Sequence, residues 1–188
     1  MENTKTTIMI RCTLFTALIA IGAFIQVPVP YLDYFTLQFL FVILSGMILG
    51  PKYGAISVVI YVLIGLMGIP IFAAGGGIQY IFRPSFGYLL GFIAAAFTVG
   101  IVAKNIKANK FSKYLIAAFS GFIVTYAIGI FYKFIILNLY LGTPTTLWII
   151  FLSCFPLDIP GDILLCVIGS LLASKVNSIL GVKYDKCR

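Results

Sequence analysis

The 188-residue chain has no histidine, and only 10% of its residues are charged. The first absence excludes any mechanism that needs an imidazole base or a histidine-held metal. The second excludes a soluble protein. A water-soluble domain carries roughly 25% charged residues and is about half apolar, whereas 62% of this chain is apolar and its mean hydropathy is +1.13. Such a sequence cannot cover its own surface with polar groups. Acids are scarcer still, five against 13 Lys and Arg. The four cysteines (Cys12, Cys154, Cys166 and Cys187) never stand in C-x-x-C spacing, so they read as small apolar residues and not as metal ligands or a disulfide framework. No G-x-x-x-x-G-K-(S/T) phosphate loop occurs, which leaves no sign of an ATPase. What remains is an integral membrane protein.

Charged residues divide the chain into uncharged runs: Cys12–Leu32, Tyr34–Pro51, Tyr53–Phe82, Pro84–Ala103, Tyr114–Tyr132 and Phe134–Leu157, with a shorter one at Ile163–Ser174. A spanning helix needs about 20 mainly apolar residues. Proline sorts the runs further: Pro28 and Pro30 end the first helix, Pro51 the second and Pro70 the third, and Pro84 precedes the fourth. Lys133 interrupts a stretch with no helix breaker before Gly142-Thr143-Pro144, so one helix is expected to run through it. The segment 145–155 is apolar but too short to span; it reads as re-entrant or interfacial, anchored by Trp148. The prediction is a single all-α membrane domain over 1–188, with six transmembrane helices at about 7–27, 35–50, 53–69, 85–104, 114–140 and 161–181.

Charge gives an independent check. With both termini cytoplasmic, six crossings place 11 of the 13 basic residues inside, leaving Arg83 and Lys133 toward the outer side. The net charge of +8 is thus topological and not a nucleic-acid-binding patch. The first segment lacks an A-x-A site before Pro28 and is too long for a signal-peptide core, so it counts as a helix.

The outer end collects Asp33, Asp158, Asp162, Arg83 and Lys133, beside an unusual connection, Pro70 to Phe86. That connection holds Gly75, Gly76 and Gly77, then Gln79, Tyr80, Arg83 and Pro84. Glycines allow close backbone approach and the flexibility of a lid, and the flanking residues are too apolar for a plain exposed loop. Asp162 follows Pro160-Gly161 at the expected start of the last helix. It reads as a helix cap, a ligand contact or both. Lys133 shares a helical face with Phe122, Tyr126, Gly129 and Tyr140, which suits a small anionic ligand; snorkelling to the interface is the alternative. In helix one, Thr13/Ala17 and Thr16/Ala20 form a small-residue stripe, either internal packing or a docking surface for a partner membrane protein. Gly46-xxx-Gly50-xxx-Gly54 and Gly87-xxx-Gly91 read as close helix packing.

The stretch from Phe35 to Phe92 resembles the BioY family, the biotin-specific S-components of energy-coupling-factor (ECF) transporters. The resemblance rests on Thr36-Leu37-Gln38, Leu49-Gly50-Pro51 with Gly54 and Ser57, Tyr61, Gly65, Gly68-x-Pro70-x-Phe72, the Gly75–Gly77 run, Pro84-x-x-Gly87-Tyr88 and Gly91-Phe92. It continues to Pro160-Gly161-Asp162. The resemblance implies a six-helix protein that captures biotin from outside a bacterial plasma membrane, without a cofactor or an ATPase of its own. It also implies docking through helix one on an ECF transmembrane subunit driven by two ATPase subunits, although some relatives are thought to act without that module. Three family positions differ. Leu165 stands where many relatives have lysine, and Gly75 and Leu89 stand where some have asparagine and arginine.

For biotin, Asp162 would accept from a ureido N–H, and Gln38 or the backbone of Gly75–Gly77 would serve the ureido carbonyl. Phe35, Tyr80, Phe86 and Tyr126 would form an apolar wall, and Arg83 or Lys133 would meet the carboxylate. Two other classes stay open: an S-component for another small vitamin or cofactor precursor, and an intramembrane enzyme. The second lacks a paired metal motif among its aspartates, a His base and an activated serine, so the chain is read as a non-enzyme.

Overall fold

The computed structural model describes residues 5–27, 35–154 and 158–180. Asp33 and Cys187 lie outside the described residues, as do the side chains of Phe35 and Cys154. Helix α1 covers Lys5–Phe24. It stops there because Pro28 forces the residues before it toward extended backbone, and Gln26–Val27 (β1) instead pair antiparallel with Phe35–Thr36 (β2), Gln26 opposite Thr36. The short ladder occupies residues that the sequence pattern assigns to helix ends.

Helix α2 runs over Gln38–Leu66, with a break at Gly50, whose φ of 82° favours glycine. Pro51 follows, fitting the first turn of a new helix. The break reverses the chain. Ser45 Oγ lies 3.5 Å from the Gly54 carbonyl oxygen, and a Cβ on Gly54 would sit 2.9 Å from the Gly46 Cα. In a continuous helix those eight residues would be separated by about 12 Å. Five helices among the described residues are long and apolar enough to cross a membrane; with α2 folded back on itself, the chain makes six crossings.

The others are α3 (Phe86–Asn105), α4 (Lys110–Ile135), α5 (Leu147–Cys154) and α6 (Asp158–Leu180), and a 3-10 turn at Ile78–Phe82 precedes α3. Helix α4 carries on as a π-helical turn, Ile136–Tyr140, so the chain stays helical through Lys133. Eight residues give α5 about 12 Å, less than half a bilayer core. It buries Ile150 and exposes Trp148, stacked on Phe151. Helix α6 begins four residues earlier than Asp162, because Pro160 is tolerated in a first turn and does not end the helix.

Packing is of the membrane kind. The shared seams are lined by Ala95, Ala96, Ala103, Ala117, Ala118 and Ala173, all fully buried. Met9, Ile123, Phe131 and Leu164 point outward. Lipid is as apolar as leucine, so association rests on close fit of small residues. Helix α1 packs on the second arm of α2, where Thr16 Oγ1 donates to the Ser57 carbonyl at 3.0 Å and Cys12 Sγ approaches the Tyr53 carbonyl at 3.8 Å. Helices α3, α4 and α6 complete the bundle against the first arm.

Candidate functional site

The ends of the helices that flank the Pro70–Phe86 connection enclose a cavity of about 100 Å³, several times the ~10–15 Å³ that one buried water needs on the same measure. Thr36 reaches it from β2, Gln38 and Phe39 from the start of α2, and Ser85, Tyr88, Leu89 and Phe92 from the residue before α3 and its first turns. Thr125, Tyr126 and Lys133 come from α4, Asp158 and Asp162 from α6, and Ala73, Ala74 and Tyr80 from the connection.

Asp162 is 9% exposed, and its Oδ2 accepts from the Tyr126 hydroxyl at 2.9 Å. Lying in the second turn of α6, it does not cap the helix; the capping alternative fails because α6 starts at Asp158. Tyr126 is held edge-on to Tyr88 at 5.9 Å and against Phe122 at 4.6 Å. Tyr88 in turn lies in a notch made by Gly129, where a Cβ would come within 2.6 Å of the ring. Among the buried polar atoms of cavity residues, Gln38 Nε2, beside the Tyr61 side chain, and Thr125 Oγ1 meet no well-formed hydrogen-bond partner among the described residues. Buried polar groups are nearly always paired, so these two mark where a bound molecule would supply partners.

The connection is tied down. The ring of Phe72 fills the space at Gly65 that a side chain would need, and the Gly77 N–H donates to the Gly65 carbonyl at 2.8 Å. Phe72 and Gly75 exchange backbone hydrogen bonds at 2.9 and 3.1 Å, and the Tyr61 hydroxyl donates to the Ile71 carbonyl at 2.9 Å. Tyr61, Phe72 and Tyr80 form a continuous aromatic contact, the latter two 4.6 Å apart. Gly75 and Gly77 have φ of 108° and 102°, values that an L side chain rarely adopts. The three glycines therefore shape the connection, while Ala73 and Ala74 face the cavity.

Of the residues expected to meet a ligand, the structure brings Gln38, Tyr80, Tyr126, Lys133 and Asp162 together around one space. Arg83 is exposed, its guanidinium 5.4 Å from the Tyr80 ring centre on the outside of the connection. Phe86 is buried against Tyr132, away from the cavity lining. Only the backbone of Phe35 is described, in β2. Leu165 is buried in the core and Leu89 is part of the cavity wall. Along α1, Thr13 and Ala17 are exposed, Ala20 is half-buried, and Thr16 is turned inward. Sequence reasoning did not single out Thr125 or Ser85, and it noted Asp158, Tyr88, Leu89 and Phe92 without assigning them to the cavity that they line. The spacing of Ser85, Tyr88, Leu89 and Phe92, at steps of three, four and seven, was the available signal.

The arrangement combines two carboxylic side chains (Asp158 and Asp162), an amide, several hydroxyls, one ammonium group and aromatic walls. It suits a small molecule with N–H donors at one end and a negative charge at another. Among the described residues, no three Cys, Asp or Glu side chains converge to hold a metal.

The model of the BioY family matches residues 1–182. A probable biotin transporter BioY of Lysinibacillus sphaericus is 35% identical over 179 residues, covering 95% of this chain and 91% of that protein. The biotin transporter BioY of Thermotoga maritima is 44% identical over 133 residues, covering 70% and 75% of the two chains. Among solved structures, the S-component for biotin from an ECF-type ABC transporter superposes with a TM-score of 0.82 at 25% identity, over 95% of each chain. The S component of a bacterial ECF transporter superposes at 0.61 with 18% identity, covering 95% of this chain and all of the other, a likeness of fold alone. A match along almost the whole sequence, a relative similar from end to end and a fold shared over 95% of both chains together place this chain in the BioY family.

Proposed function

We propose that the protein is a biotin transporter, the substrate-capturing S-component of an ECF uptake system in a bacterial plasma membrane. The observation that carries the reading is the buried Asp162–Tyr126 pair facing a cavity lined also by the Gln38 amide. Biotin has two ureido N–H donors, a ureido carbonyl, an apolar thioether ring and a carboxylate. Tyr126 occupies Asp162 Oδ2, so Oδ1 accepts from a ureido N–H. Gln38 Nε2 donates to the ureido carbonyl. Tyr80, Tyr88, Phe39 and Phe92 enclose the apolar ring, and Lys133 meets the carboxylate, taking the part of the cation absent at Leu165.

Nothing in the chain supplies energy, so uptake requires a transmembrane subunit and two ATPases. Thr13, Ala17 and Ala20 form the docking strip on α1, and both termini face the cytoplasm. The reading is tested by equilibrium binding of labelled biotin to purified protein in detergent, with lipoate, thiamine and riboflavin as competitors. Saturable one-to-one binding that only biotin displaces is expected. Displacement by another of these vitamins would favour a changed ligand, the reading that Leu165 and Leu89 support.

A further inference from the structure

We infer that the Thr125 hydroxyl is a ligand contact that sets specificity in this cavity, an assignment that rests on the biotin-capture reading above. Its side chain breaks the habit of the other buried helical hydroxyls among the described residues, Thr16, Ser45, Ser57 and Ser170, all of which donate to a carbonyl of the preceding turn. Thr13, Thr16 and Thr98 each donate to the carbonyl four residues earlier, at 3.0, 3.0 and 2.8 Å, and Ser57 and Ser170 do the same at 2.9 and 2.6 Å. That internal bond is the ordinary way for a hydroxyl to be satisfied inside a membrane helix. Thr125 is 1% exposed, and its Oγ1 has no partner among the described residues.

The backbone there has little freedom to adjust. Gly91 lets α3 approach so closely that a Cβ would sit 2.8 Å from the Thr125 carbonyl oxygen. Thr125 immediately precedes Tyr126, the donor to Asp162, and both residues line the cavity. A hydroxyl both donates and accepts, so beside a carboxylate acceptor it recognises a planar group with adjacent donor and acceptor atoms. A cyclic urea is such a group. Valine has nearly the same shape and none of this capacity.

The experiment compares Thr125→Val and Thr125→Ser with the wild type, reading biotin affinity and the melting temperature of unliganded protein in detergent. Thr125→Val is expected to weaken biotin binding about tenfold or more. It should also raise the unliganded melting temperature by about 2–4 °C, because an unpaired buried hydroxyl is removed. Thr125→Ser should bind within about threefold of wild type. Valine binding as tightly as wild type, serine binding as poorly as valine, or a valine melting point below wild type would each overturn the inference. Wild-type protein that fails to bind biotin would overturn the functional reading instead. The direction of the valine melting shift would then decide the Thr125 assignment alone, a rise supporting an unpaired hydroxyl and a fall refuting it.

Discussion

Replacing Asp162 by Asn keeps the shape of the side chain and removes its charge, and the consequences follow from its two faces. Oδ2 accepts from Tyr126 at 2.9 Å in a site that is 9% exposed. If the amide oxygen of the variant stays on Tyr126, its NH₂ faces the ureido N–H and two donors confront each other. If the amide turns round, the ligand bond survives as a neutral one, and the Tyr126 proton loses its acceptor. Either arrangement costs about 1–3 kcal/mol, the span between a weakened charged hydrogen bond and a buried group left unpaired. That corresponds to roughly five- to 150-fold in Kd. Isothermal titration of detergent-purified protein with biotin measures it. A double-mutant cycle with Tyr126→Phe sharpens the test. Without the phenol the amide is free to turn its oxygen to the ligand, so the two losses should fall short of additivity by about 0.5–1.5 kcal/mol. Asp162→Asn binding within twofold of wild type, in protein that is monodisperse and melts normally, would refute the reasoning.

Lys133→Met should weaken biotin strongly and the uncharged methyl ester of biotin little, while Arg83→Ala should leave both nearly unchanged; competition assays with the two ligands compare them. Gly65→Ala would force the Phe72 ring out of its seat, an overpacking loss of about 1–3 kcal/mol; thermal melting should show it, with a fall in ligand affinity because Ala73, Ala74 and Tyr80 shift together. For orientation, cysteine substituted at Gln79 in a cysteine-free background should react with an impermeant maleimide on intact cells. Cysteine at Lys107 should react only after permeabilisation, and the reverse pattern would invert the topology.

Much of the architecture was readable because bilayer physics acts on composition. Uncharged runs gave the crossings, and the Gly50-Pro51-Lys52 turn showed where the chain reverses, a point that helix length alone conceals in the 29-residue α2. The lining of the candidate cavity was legible where an ionisable or amide group stands in an apolar stretch, as with Gln38, Lys133 and Asp162. It was not legible where the cavity is lined by ordinary membrane residues. Thr125, Phe92 and Leu89 look like any helix filler until the register of α3 against α4 is known. Arg83 was misleading for the opposite reason: its charge suggested a ligand contact, but the 3-10 turn ends beside it and turns it outward over Tyr80. Asp162 needed the true start of α6, which proline obscured.

Toward the Gly50–Pro51 turn, away from the cavity, helices pack main chain against main chain at several points, among buried side chains such as Met47 and Val99. Gly46 meets the Ala96 carbonyl, Gly54 meets Gly46, and Gly100 meets the Gly50–Pro51 turn. Side-chain gates open by changing rotamer within nanoseconds, but a seam of main chain has no rotamers to change. To widen a passage at these points the helices themselves would have to part and expose their buried small-residue seams. Such tight backbone seams make the helices of this end move together as one block and not one side chain at a time.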